Sequence, residues 1–168
     1  MEFVDLPDFG PDDYAQIVDG EVDPFQTDHM AIEWCAKTVH VGIRDHGRLI
    51  AQAGWVPARV QADGPVIDVL GLGGVIVHQA RRGQGVGEQL VSGAMRRMGE
   101  LGGSLGMLFC RTERVPFYGR LGWVTIEQAV TVDQPDGSIT LPFHACWAPL
   151  IEGAGLPDGD LHVVGLPF

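Results

Sequence analysis

Between residues 81 and 87 the chain reads Arg81-Arg82-Gly83-Gln84-Gly85-Val86-Gly87, three glycines at alternate positions behind two arginines. Glycines placed this way let a ligand reach main-chain N–H groups, and a helix starting at such a loop adds the positive end of its dipole. The chemistry this permits is holding a phosphate group. The nucleotide loop of the Walker kind is missing, because no Gly-Lys-Ser/Thr follows Gly87, and G-x-G-x-x-G does not fit glycines at 83, 85 and 87. A glycine-rich turn with no ligand is the alternative reading of the cluster taken alone. The three cysteines, Cys35, Cys110 and Cys146, are an odd number without C-x-x-C spacing. That speaks against a disulfide framework and against a zinc cage, and favours packed thiols.

The elements around the loop follow from periodicity. Val86, Leu90, Val91, Ala94, Met95, Met98 and Leu101 recur at helical spacing, so a helix follows the loop and ends at Gly102-Gly103. Before the loop, residues 66–78 form a long apolar run interrupted by Gly71, Gly73 and Gly74, which inside a strand marks a bulge or a close backbone approach. Residues 39–44 and 48–60 pair as a hairpin about Asp45-His46-Gly47. Residues 104–110 read as a short strand and 115–121 as a short helix with Pro116 in its first turn. Residues 123–133 and 138–147 read as a last hairpin about Pro135-Asp136-Gly137. Toward the start, helices are expected near 12–18 and over 28–37, the second capped by Asp28. This order argues for one α/β layer structure with a mixed sheet.

The 168 residues and 18.1 kDa fit one domain, 1–168, with 45 % hydrophobic and 20 % charged residues, enough to bury a core without staples. No apolar run approaches the roughly 20 residues of a membrane span, and the N-terminal residues lack a signal-peptide pattern, so a cytoplasmic protein is expected. A net charge of -11 disfavours nucleic acid as a partner. Ten of the 22 acids fall within the first 33 residues, where there is no Lys or Arg. Seven of the 11 basic residues fall between 81 and 120, with only Glu88, Glu100 and Glu113 against them. Arginines concentrated in an otherwise acidic chain suit a bound anion, and the acidic remainder suits a cationic partner. A solvated helix face is the plainer alternative for the arginines.

Arg82-Gly83-Gln84-Gly85-Val86-Gly87 resembles the [QR]-x-x-G-x-[GA] signature of the GNAT N-acetyltransferases, and it follows the apolar strand end Val75-Ile76-Val77 as in that family. Some 30 residues on, Phe117-Tyr118-Gly119-Arg120-Leu121-Gly122-Trp123 resembles the family's second element, F-Y-x-x-x-G-[FW]. Two elements in the right order are far more specific than either alone. The resemblance implies an α/β single-domain GNAT fold: a mixed, mostly antiparallel sheet, splayed between two central strands and flanked by helices. It places a coenzyme A core at about 66–123 and an acceptor-side segment at about 12–38.

What the resemblance implies for chemistry is direct attack by a primary amine on acetyl-CoA as cosubstrate, without a metal. Val75, Ile76 and Val77 would run along the pantetheine arm, and Arg82, Gly83, Gln84, Gly85, Val86 and Gly87 would hold the pyrophosphate. Tyr118 would act as general acid toward the coenzyme A sulfur. The base stays open among Asp68, His78, Glu33, Glu113 and the carboxylate of Phe168, with Asp68 on the bulged strand taken as the catalytic candidate. Cys110, on the strand facing the coenzyme, makes a covalent route conceivable, although its neighbours Leu108 and Phe109 favour an inert thiol. Asp23, Asp28 and Glu33, with Glu21, would contact the acceptor. Within the family the chain is most similar to aminoglycoside 2′-N-acetyltransferases, through Asp23-Pro24-Phe25-Gln26-Thr27-Asp28 and the 117–123 run, but Gly73 stands where those enzymes carry a glutamate. Another small amine, a homodimer, or a non-catalytic coenzyme-binding module are the remaining readings.

Overall fold

The computed structural model describes residues 1–168. Ten strands join in one sheet. β1 (Glu2–Asp5) pairs antiparallel with β2 (Val39–Asp45), and β2 with β3 (Arg48–Ala62) about the turn at His46-Gly47. β3 pairs along its length with β4 (Val66–Val77), which carries on into the loop and then α2 (Val86–Glu100). β5 (Leu105–Cys110) lies parallel to β4, which the crossover through α2 requires. The anticipated fold class is therefore present: a mixed, mostly antiparallel sheet with helices against it, and one parallel junction near its centre.

The face of α2 made by Val86, Leu90, Val91, Ala94 and Met98 is buried against the sheet with Trp55, Leu72 and Leu108. A second apolar cluster lies on the opposite face of the sheet, around Val60, Met107, Val132, Val163 and Phe168, with Met107 and Leu108 of β5 pointing to different clusters. α1 (Pro11–Val18) closes a small third cluster through Ile17. No helix is long and apolar enough to cross a membrane.

Three expectations are corrected. Residues 28–37 are not helical: a turn and bend over 28–30 lead into chain without regular structure. The Asp28 N–H is already taken by the Asp23 carboxylate at 3.3 Å, and the Cys35 N–H donates to Pro167 O at 2.7 Å, so long-range partners replace the helical ladder. The anticipated last hairpin separates into two places. β7 (Val130–Gln134) and β8 (Gly137–Thr140) do form a hairpin, but β9 (His144–Pro149) leaves it to pair antiparallel with β5, beside the two-residue β6 (Val124–Thr125). Finally, β1 and β10 (Leu161–Val164) were not anticipated; β10 inserts between β3 and β7.

Candidate active site

β4 and β5 pair only at Leu70, Gly71 and Leu72 opposite Gly106, Met107 and Leu108. Beyond that point the strands part, and a cleft of about 770 Å³ opens between Gly73–Val77 on one side and Phe109 and Cys110 on the other. The cause is local. Gln52 of β3 faces Ile76 but Gly54 faces Gly73, so β4 carries one residue more than its partner and bulges at Gly74-Val75. Gly74 has φ +60°, a left-handed conformation that glycine adopts without a side-chain clash. Beneath the bulge, the buried amide of Gln52 bonds His40 Nδ1 through Nε2 at 3.0 Å. From Gly73 to Val77 the edge of β4 facing β5 has no strand partner; Arg82 Nε takes Val77 O, and the polar groups before it are free to meet an extended ligand.

At the end of β4 the chain makes a 3₁₀ turn over Gln79–Arg81 and enters the glycine loop, where Gly83 and Gly85 take φ +75° and +78°. The N–H groups of Gly83, Gln84 and Gly85 donate to no group of the protein, and Gly85 caps α2 without a side chain. Those amides and the first turn of α2 are what could hold an anion at one end of the cleft. Arg82 does not point freely into it. Its Nε donates to Val77 O at 3.0 Å, and its terminal nitrogens grip both oxygens of Glu21, which lowers the Glu21 carboxyl pKa. Gln84 turns its amide to Ala80 O at 2.9 Å, and the Val86 side chain is buried in the core, so both offer only main-chain amides.

Tyr118 sits in α3 (Val115–Arg120), which Pro116 opens, and it lines the cleft while 8 % exposed. Edge-on contacts with Phe117 (5.0 Å) and Trp123 (6.2 Å) fix the ring. Burial pushes the phenol well above its ordinary range, reinforced by Cys110 and partly offset by Arg114. The phenol therefore keeps its proton. Cys110 also lines the cleft, but its thiol is pushed up by hydrogen bonding to Cys146, whose own pKa is lowered by the same bond. A thiol held in that way is a poor nucleophile.

The carboxylates named from sequence are mostly elsewhere. Asp68 is exposed on β4 opposite Arg59, five residues and about 16 Å along the strand from Gly73, and does not line the cleft. Asp23 caps Thr27 N at 2.9 Å, Asp28 is exposed, and the Glu33 main chain is bonded to the Gln134 side chain; none of the three lines the cleft. His78 is held by Asp19 (3.1 Å) and by Ala80 N–H (3.2 Å), also outside it. Glu113 and Glu21 do line it.

Arg111 and Arg114 of the arginine-rich window line the cleft, and the terminal carboxyl carbon of Phe168 would lie 2.9 Å from a Cβ on Gly73; what was not read from sequence is Lys37 and the aromatic wall of Phe25, Trp34, Phe109, Phe143 and the Phe168 ring. Trp34 meets Phe143 edge-on at 5.7 Å, and Phe109 meets Phe168 at 5.3 Å. Arg111 lies 5.6 Å over Phe143 and donates to Gln26 O, tying the end of β5 to the 25–26 backbone. Lys37 Nζ donates to Cys35 O at 3.0 Å, and burial lowers its pKa. These residues come from distant parts of the chain, so no local motif signals them; the wide spacing of single aromatics in residues 25–34 and 143 is the only trace they leave.

A strand pair splayed over a bulge, a bare amide loop at its open end and a protonated phenol lining the same cleft make an arrangement that could take a phosphate-bearing ligand with a long extended arm. The family model described as an acetyltransferase (GNAT) domain matches residues 25–126. The chain belongs to the GNAT acetyltransferase family, whose acyl donor is acetyl-CoA. No curated protein matches it. Among solved structures it is similar to a GNAT family acetyltransferase from Brucella melitensis in complex with acetyl-CoA, at 19 % identity over 95 % of this chain and 94 % of that one, TM-score 0.58. It is also similar to an aminoglycoside 6′-N-acetyltransferase complexed with coenzyme A, at 17 % identity over 94 % of this chain and all of that one, TM-score 0.60. It spans only 22 % of a GCN5-related N-acetyltransferase from Kribbella flavida, at 26 % identity over 51 % of this chain, TM-score 0.48.

Proposed function

We propose that the protein transfers the acetyl group of acetyl-CoA to a primary amine of a small acceptor by direct attack within the β4–β5 cleft. The observation that carries this is a pair of unpartnered main-chain stretches at one cleft, the β4 edge from Gly73 to Ile76 facing β5 and the N–H groups of Gly83, Gln84 and Gly85, with Tyr118 lining the same cleft. The diphosphate would sit on the amides of residues 82–87 and the pantetheine arm along Val75, Ile76 and Val77. The acetyl carbonyl would then lie near the bulge, where a main-chain N–H stabilises the developing oxyanion.

Tyr118 would face the leaving sulfur. A thiol has a pKa of about 8.5, below that of any phenol raised above about 10, so full proton transfer from Tyr118 to the thiolate is uphill. Its role is to donate a hydrogen bond to the sulfur as charge develops there, with the proton of the amine reaching the thiolate in the end. For the base, Glu113 is the one carboxylate of the sequence shortlist, Phe168 aside, that lines the cleft, and Asp68 is not retained.

The aminoglycoside reading rests on the acid-rich segment and on similarity to that class. Asp23, Asp28 and Glu33 lie off the cleft and Glu21 is neutralised by Arg82, so a polycationic acceptor gains little from them. Thiol release measured with acetyl-CoA across a panel of amines tests the proposal: at least one amine should turn over. Tight acetyl-CoA binding with no turnover on any amine would favour the non-catalytic module instead.

A further inference from the structure

The two ends of the cleft differ in kind. One end has the bare amides of Gly83, Gln84 and Gly85; the other, beside the bulge, is aromatic. β4 and β5 last pair at Leu72 and Leu108, so Gly73 and Phe109 stand level where the strands part. The Phe109 ring lies 5.3 Å from that of Phe168, which fills the space a side chain on Gly71 would take. The Cys35 N–H on Pro167 O ties the preceding Trp34 to the same region, and Trp34 meets Phe143 edge-on at 5.7 Å. Trp34, Phe109 and Phe143 line the cleft only half-buried, which leaves ring surface in a concave space. Covering that surface with another ring is favourable, and ring–ring contact adds to the gain. Charge there is balanced within the chain: a Cβ on Gly73 would lie 3.2 Å from Lys37 Nζ and 2.9 Å from the Phe168 carboxyl carbon, so cation and anion share one place. Of the three acids that line the cleft, Glu21 is paired with Arg82 and Glu88 with Arg120, which leaves Glu113 without an arginine. Aromatic surface with one unpaired carboxylate suits a body that bears one amine.

We propose that the acceptor is an aromatic primary monoamine, its ring against Trp34 and Phe143 and its amine at the bulge. This rests on the acetyl-transfer reading above, because the position of the thioester near the bulge comes from it. With the diphosphate on the glycine loop and the pantetheine arm running back along Val77, Ile76 and Val75, the aromatic end is the part of the cleft left for the acceptor. An aminosugar carrying several ammonium groups would bring them to a wall without acids, where they lose hydration and gain no partner. The neutral amine forms a bond to the acetyl carbon, the carbon–sulfur bond breaks, and the amine's proton ends on the coenzyme A sulfur, giving the N-acetylated amine and free thiol.

The test compares 2-phenylethylamine, ethanolamine and kanamycin as acceptors for the wild-type protein, Trp34→Leu and Phe143→Leu, with equilibrium binding of the same three amines in the presence of coenzyme A. For the wild type, kcat/KM for 2-phenylethylamine should exceed that for ethanolamine by about 10- to 100-fold, the worth of burying one ring. Either replacement should cut that ratio by about 3- to 10-fold, the worth of one ring–ring contact. A ratio of two acceptors on one preparation is indifferent to how much of a variant is folded, and two separate replacements guard against one that does not fold. Equal kcat/KM for the two small amines, or a ratio that both replacements leave intact, overturns the inference. Turnover of kanamycin with none of 2-phenylethylamine overturns it while the acetyl-transfer reading stands. Binding of 2-phenylethylamine that the replacements weaken, without turnover of any amine, keeps the aromatic site and removes that reading.

Discussion

Tyr118 keeps its proton because burial disfavours the phenolate, and this sets two expectations that a purely structural tyrosine would not share. Replacing it with Phe should lower kcat by about 100-fold, the lower range for a placed proton donor, with the dissociation constant for acetyl-CoA unchanged by calorimetry. An unaltered kcat would remove Tyr118 from the reaction. The second concerns pH. A donor whose pKa is raised is active at every pH below that raised value, so the kcat profile should show no descending limb from this group up to about pH 10. A limb near pH 8 that vanishes in Tyr118→Phe would mean the phenol ionises far too easily for the environment described. Lys37 shows why residue-level reading from sequence stopped where it did. The glycine loop and Tyr118 are contiguous motifs, whereas a lone lysine after an acid-rich stretch becomes interesting only when folding sets it against Gly73, 36 residues away.

At the scale of elements, the bulge in β4 is what opens the cleft, and its left-handed residue makes it testable. Ala at Gly74 must adopt φ +60°, at a cost of about 1–2 kcal/mol, or else relax the bulge. Gly74→Ala should therefore lower Tm by about 2–8 °C and weaken acetyl-CoA binding more than a change remote from the cleft does. The β7–β8–β10 corner offers a separate check. Asp133 accepts the Gly165 N–H at 2.9 Å and the Ser138 hydroxyl at 3.0 Å, and His162 lies at 3.1 Å, all of which hold its carboxyl below the usual range. A depressed folded-state pKa contributes stability that is full above about pH 4 and is lost as pH falls through the lower folded value. Asp133→Asn should thus lower Tm by about 2–4 °C at neutral pH, and the difference should close as pH falls below the ordinary carboxylate range. The same corner marks where sequence reading failed. Strands 48–62 and 66–77 announce themselves by apolar runs and turns, and so does α2 by its spacing. β10 has four residues, and although Pro157-Asp158-Gly159 marks a turn before it, its place between β3 and β7, like the register that sends β9 to β5, depends on contacts no local pattern contains. The helix expected at 28–37 was lost to such contacts as well.

For the molecule as a whole, charge is arranged by place. A chain of net charge -11 lines its cleft with Lys37, Arg82, Arg111, Arg114 and Arg120 against Glu21, Glu88 and Glu113. An anionic coenzyme approaching an acidic protein is then drawn to one region, and added salt should screen that attraction. The KM for acetyl-CoA should rise by about three-fold or more between about 0.05 and about 0.5 M NaCl, measured as initial rates of thiol release. A salt-independent KM would show that these arginines serve only the protein's own ion pairs. The parting of β4 from β5 has a last implication. Both are interior strands, each hydrogen-bonded on its far side to another strand, β3 and β9. Neither can swing to shut the gap without tearing a ladder, so the berth for the donor stands built before any donor arrives. Exchange of the β4 amides paired to β3 and of the β5 amides paired to β9 should be slow in the empty protein, and loading coenzyme A should leave it as it was, with new protection confined to the unpaired edge of β4.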